Sequence, residues 1–168
     1  PAARVLDAAS GRALNDLVRR GDLEGGLGTT LLLHDVPKVA SPRVLLVGLG
    51  RERELRESRY CTALSAAIKA LLATGAVQAT ICLDELPVNG RDGAWKIEQA
   101  VLAVMESLYR FDRLKSKPPE AKRALKKVFF HAAKPSDASA GEAAIDRGVA
   151  IAEGVALARD LGNLPGNV

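Results

Sequence analysis

A short unbroken apolar run, Val44-Leu45-Leu46-Val47, ends in Gly48-Leu49-Gly50. Apolar side chains in both directions suit a strand covered on its two faces, and the helical pattern that follows predicts a strand-to-helix unit at the centre of an α/β layer. Upstream, residues 1–20 carry Val5, Leu6, Leu14, Leu17 and Val18 at helical spacing with a break near Ser10-Gly11, and Gly21 reads as a C-terminal stop. Thr29 to Leu33 reads as a strand that Pro37 ends, and its nearness to the central run predicts that the two pair in one sheet. Downstream, Leu55, Tyr60, Leu64, Ile68, Leu71 and Leu72 form one helix face. Val77 to Leu83 then reads as a third strand, and Ile97, Val101, Val104 and Leu108 mark a second long helix from Ala94. Val128 to Ala132 reads as a fourth strand. Ser139, three residues before Glu142, has the spacing of a capping box for a last helix over about Gly141 to Leu161. Gly148 and Gly154 inside that helix each cost up to ~1 kcal/mol relative to Ala, which close backbone packing would offset. The pattern as a whole predicts an α/β domain, a parallel or mixed sheet with helices on both faces.

Composition narrows this picture only in part. A chain of 168 residues with 48% hydrophobic and 26% charged residues is long enough for one self-sufficient core, and 4% aromatic content makes that core one of Ala, Val and Leu. Cys61 and Cys82 stand apart in apolar contexts without metal-ligand spacing, so they read as buried thiols of a reducing compartment. The sequence as given shows no signal-peptide pattern and no apolar run of membrane-spanning length, so secretion and membrane spanning are not expected. A cytoplasmic address and no membrane partner are expected. The net charge of +4 permits an anionic partner without demanding one.

Much of that excess falls between Arg110 and Lys127, where Arg113, Lys115, Lys117, Lys122, Arg123, Lys126 and Lys127 are candidate contacts to a nucleic-acid backbone. Tyr109 and Phe111 do not interleave with them as a base-stacking platform would, and a solvated loop explains the charges equally. Gly48-Leu49-Gly50 lacks a third glycine, and Glu52 and Glu54 would crowd a pyrophosphate, so a tight turn is the better reading. His34 and Asp35 are adjacent on a strand pattern and point to opposite faces, while His131 has no acidic companion in its own segment. No catalytic or metal-binding residue is assigned.

The stretch Ala158-Arg159-Asp160-Leu161-Gly162-Asn163-Leu164-Pro165-Gly166-Asn167-Val168 resembles the segment joining the N-terminal and catalytic domains of the leucyl aminopeptidases, the two-metal cytosol aminopeptidase family. Gly21-Asp22, Gly28-Thr29-Thr30-Leu31-Leu32-Leu33-His34, the Arg43–Gly50 run and Tyr109-Arg110-Phe111-Asp112 with Lys115-Ser116 agree in order, so the likeness runs along the whole chain. It implies an N-terminal, macro-domain-like, non-catalytic domain over residues 1–157, with a mixed sheet flanked by helices on both faces, and the start of a linker over 158–168. It further implies a parent that removes N-terminal residues from peptides as a hexamer with two divalent cations, manganese or zinc. The family holds its metal ligands and catalytic groups in the C-terminal domain, so this chain would need no cofactor of its own, and its partners would be its own catalytic domain and further copies. DNA binding by some relatives adds the basic segment as an alternative role. Family members also carry an opening strand upstream of the point matching Pro1, and a chain without it would be less stable or prone to self-association. Gly162 and Gly166 replace the more usual Val and Pro, which implies a looser linker.

Overall fold

A computed structural model describes residues 2–83, 85–116, 125–131 and 135–165, with 135 and 136 described by backbone alone. Among the described residues the order is α1 (Ala2–Ala9), α2 (Ala13–Arg20), β1 (Thr30–His34), β2 (Arg43–Val47), α3 (Glu57–Leu72), β3 (Gln78–Ile81), α4 (Gly93–Leu108), β4 (Lys127–Phe130) and α5 (Pro135–Asn163). The expected break parts α1 from α2: Ser10 Oγ donates to the Asp7 carbonyl, and Arg12 takes left-handed backbone at φ 69°. Gly21, at φ 82°, returns its N–H to α2 and stops it.

The α/β class holds, with both strand polarities present. β1 and β2 pair antiparallel, Thr30 opposite Val47 and His34 opposite Arg43. β3 and β4 pair parallel, Gln78 opposite Lys127 and Ile81 opposite Phe130, with α4 in the long connection that parallel pairing needs. Among the described residues these are two separate two-stranded sheets rather than one continuous mixed sheet. β2 departs from its expected burial: all five residues keep partial exposure, because β1 pairs with one edge and α3 packs against the ribbon without enclosing it.

The core gathers where α3 meets α4. Leu55, Tyr60, Leu64, Val88 and Ala100 are buried together, with Ile81, Trp95 and Phe130 packed around them. α4 is anchored by Asp92, whose side chain accepts the Trp95 N–H at 2.8 Å, an N-cap made just where the Asn89–Gly93 turn chemistry ends. α4 packs along α5 through small residues. A Cβ on Gly148 would meet Val101 at 3.0 Å, so this glycine lets the helices approach as expected, but Gly154 faces nothing within 4 Å and has no such contact in this domain. The expected capping box is absent: α5 already begins at Pro135, a residue whose fixed φ and missing N–H suit a first helical turn, which leaves Ser139 and Glu142 inside the helix. No helix among the described residues is long and apolar enough to cross a membrane.

Candidate functional site

The sequence-predicted basic cluster is only partly on view. Lys117, Lys122 and Arg123 lie outside the described residues. Arg113 and Lys115 are exposed in the turn after α4, and Lys115 Nζ lies 2.5 Å from Asp112 Oδ1, so its charge already has a carboxylate beside it. The N–H groups of Lys126 and Lys127 both donate to the Val77 carbonyl, at 2.8 and 3.2 Å, which fixes this pair where β4 begins beside β3.

The glycine turn after β2 is closed by the chain itself. Gly48 donates to the Thr29 carbonyl at 2.7 Å and accepts from the Gly28 N–H at 2.8 Å, while Gly50, at φ 71°, donates to the Gly25 carbonyl at 2.9 Å. A Cβ at Gly48 would collide with the Gly26 carbonyl oxygen and Thr29 Oγ1. These amides serve a turn-on-turn lock rather than a phosphate, as the crowding by Glu52 and Glu54 suggested; Glu54 instead pairs with Arg59 at 3.3 Å.

His34 ends β1 and Asp35 follows in left-handed backbone at φ 51°, both on the wall of an open groove of about 290 Å³ whose other side is Ala13, Asp16, Leu17 and Arg20 of α2. His131 does have an acidic neighbour, though not in its own segment: its Nδ1 lies 3.5 Å from Glu85 Oε1. His131 directly follows β4 and Glu85 lies four residues past β3, both beyond the carboxyl ends of the parallel strands, where open α/β sheets place ligands. Chemically, an imidazole beside a carboxylate can hold and pass a proton. Parallel register brings this pair together, and no local spacing announces it.

Two further arrangements escape the residue pattern. Lys96 is buried on the α4 face that meets α3, with Nζ donating to the Leu86 carbonyl at 2.9 Å, and its place one turn before Ala100 on that inward stripe was the available signal. At the far end of α4, Tyr109 donates to Asp160 Oδ1 of α5 at 2.8 Å, with the Arg159 guanidinium 5.3 Å from the ring. Partial desolvation and then the bond to Asp160 raise the Tyr109 pKa. Burial, with Glu57 adding to it, likewise raises that of Cys61, a half-buried thiol, which disfavours its thiolate. Among the described residues no three His, Cys, Asp or Glu side chains converge on a point that could hold a metal ion. The described residues therefore do not fit a two-metal centre.

A mixed α/β scaffold whose described residues hold a histidine–glutamate neighbour pair and no converging metal-ligand set is what the geometry defines. The model of the cytosol aminopeptidase family, N-terminal domain, matches residues 1–118. The chain belongs to that family, as an N-terminal domain. Probable cytosol aminopeptidases of Methylobacillus flagellatus and Dechloromonas aromatica are 52% and 46% identical over 99% of this chain. The chain spans about a third of the length of these curated relatives, 34% and 33%. Among solved structures, a mutant of tomato leucine aminopeptidase superposes with a TM-score of 0.69 at 22% identity, covering 99% of this chain and 32% of that one. A bottromycin maturation enzyme, BotP, solved in complex with Mn, gives 0.66 at 24% identity over 89% of this chain and 29% of that one. At these identities the two structures speak for the fold.

Proposed function

We propose that this chain is the non-catalytic N-terminal domain of a cytoplasmic aminopeptidase that removes N-terminal residues from peptides, with two divalent cations, manganese or zinc, held by the part of the polypeptide beyond it. The observation that carries the reading is near-complete coverage of this chain by cytosol aminopeptidases three times its length. The family's metal chemistry polarises a carbonyl and supplies a nucleophile at neutral pH, and no step of it is assigned to residues described above. What this chain contributes is a folded body that packs on the catalytic domain and helps assemble a hexamer. A domain over residues 1–157 and a connection over 158–168 belong to the same proposal, with α5 carrying the chain from one into the other without a break. So does a macro-domain-like character without ADP-ribose binding: calorimetry with ADP-ribose is expected to show no heat, and a binding isotherm would overturn that part of the reading.

With Lys115 already beside Asp112, nothing specific favours a nucleic-acid role for the basic segment. The experiment compares the full-length polypeptide with this chain on a leucyl amide substrate with added manganese or zinc. Turnover is expected only from the former, and metal-dependent hydrolysis by the purified 168-residue chain would overturn the reading.

A further inference from the structure

The loop from β3 to α4 is pinned at both ends of its last stretch and open between them. Val88 is 4% exposed and belongs to the α3–α4 core, and Asp92 caps α4. In between, Asn89 and Gly90 form an exposed turn, spanned by the Arg91 N–H donating to the Val88 carbonyl at 3.1 Å. Gly90 lies at φ 72°, and a Cβ placed on it would meet nothing within 4 Å, so the space beside it is open. Among the described residues neither the Asn89 carboxamide nor the Gly90 N–H has a hydrogen-bond partner. This is the one Asn-Gly pair of the sequence. Asn15 and Asn163 are placed differently, in α2 and at the end of α5. The amide that follows each is tied back along its helix, Asp16 N–H to the Arg12 carbonyl at 3.1 Å and Leu164 N–H to the Asp160 carbonyl at 3.1 Å. Asp92 also precedes a glycine, but its carboxylate is taken by the Trp95 N–H at 2.8 Å.

We propose that Asn89–Gly90 is a modification site at which the chain acts on itself, turning Asn89 into aspartate and isoaspartate through a cyclic imide. The Gly90 amide nitrogen gives up its proton to solvent base and bonds to the side-chain carbonyl carbon of Asn89. The bond from that carbon to the carboxamide nitrogen breaks, and ammonia leaves with a proton taken from water. One water then opens the imide, its hydroxyl adding to either ring carbonyl and its proton going to the Gly90 nitrogen. Opening at the side-chain carbonyl gives aspartate. Opening at the main-chain carbonyl gives isoaspartate, whose backbone runs through the side chain and is longer by one methylene. Water enters and ammonia leaves, with no redox partner. Glycine suits the closure because any side chain at that position would crowd the attacking nitrogen. An amide already bonded within a helix, as after Asn15 and Asn163, is withdrawn from attack. Both products place a new carboxylate two residues from Arg91, whose Nε bonds Glu57 Oε1 at 2.8 Å and whose guanidinium lies 5.0 Å from the Trp95 ring. The isoaspartyl form also lengthens the chain between the buried Val88 and the Asp92 cap, so the start of α4 is held less well.

The test ages the unsubstituted full-length polypeptide in buffers from neutral to mildly alkaline, made with heavy-oxygen water. Peptide mapping by mass spectrometry with electron-transfer fragmentation then tells isoaspartate from aspartate. The peptide holding Asn89 should convert with time to a mixture of the two, each carrying one heavy oxygen, and faster as pH rises, while Asn15 and Asn163 keep their amides. Conversion of Asn89 no faster than of those two, or conversion to aspartate without isoaspartate, overturns the proposal. Asn89→Gln keeps the exposed amide but enlarges the ring that must close. Its melting temperature should hold steady over the ageing that lowers that of the unsubstituted chain, and equal falls in both would overturn the effect drawn for the start of α4.

Discussion

Replacing Gly148 by alanine sets two opposed effects against each other at one atom. Alanine is favoured over glycine inside a helix by up to ~1 kcal/mol. The added methyl would lie 3.0 Å from both Cβ and Cγ1 of Val101 and 3.3 Å from the Glu98 carbonyl oxygen. Val101 is only 6% exposed and β-branched, so its side chain has a narrow choice of rotamers, and Glu98 O belongs to the α4 backbone. Neither neighbour can move without moving α4, and such overpacking costs about 1–3 kcal/mol. The net for Gly148→Ala is a loss of roughly 1 kcal/mol, or about 2–4 °C in Tm for a chain of this size. Gly154→Ala meets nothing within 4 Å and keeps only the favourable effect, so it should gain about 0.5–1 kcal/mol. Urea unfolding and calorimetry of both variants of this 168-residue chain, against the parent chain, give the two signs in one experiment. If Gly148→Ala raised the melting temperature as Gly154→Ala does, the close approach of α4 and α5 would be wrong.

Leu64→Ala, at a side chain with no exposed surface in the α3–α4 core, should destabilise by roughly 2–5 kcal/mol in urea titration. Asp92→Ala removes the cap that holds the Trp95 N–H and should cost about 1 kcal/mol, most of it restored by Asp92→Ser. Tyr109, whose phenol is raised above its usual value of 10.0 in the folded chain, supports the fold in its neutral form. That support is complete below pH 10 and is lost as pH rises through the higher folded value, so stability should fall on the alkaline side, and Tyr109→Phe should flatten this part of the profile in melts across pH 9–11.

Much of the fold was legible because its signals are local. The α1–α2 break, the Gly21 stop, the α3 stripe through Tyr60, Leu64 and Ile68, and the pairing of β1 with β2 rest on spacings of a few residues. The start of α5 was misplaced because Ser139 and Glu142 carry a capping spacing, while Pro135 offered an equally good start four residues earlier. The split into two sheets was not legible, since apolar runs announce strands and not their neighbours. The meeting of Glu85 with His131 depends on the register of a parallel pair far apart in sequence, so no window of residues could show it.

The separation into two small sheets also sets a timetable for folding. β1 and β2 are linked by residues 35–42, so their ribbon can close as soon as that turn forms, at little loop entropy. β3 must wait for β4 across residues 82–126, with α4 formed in between, which makes the parallel pair the slow and topologically demanding step. During synthesis the ribbon can therefore be in place on the nascent chain well before Phe130 emerges from the ribosome, and pulse-labelled exchange should protect Leu31 to Leu33 ahead of Ala79 to Ile81.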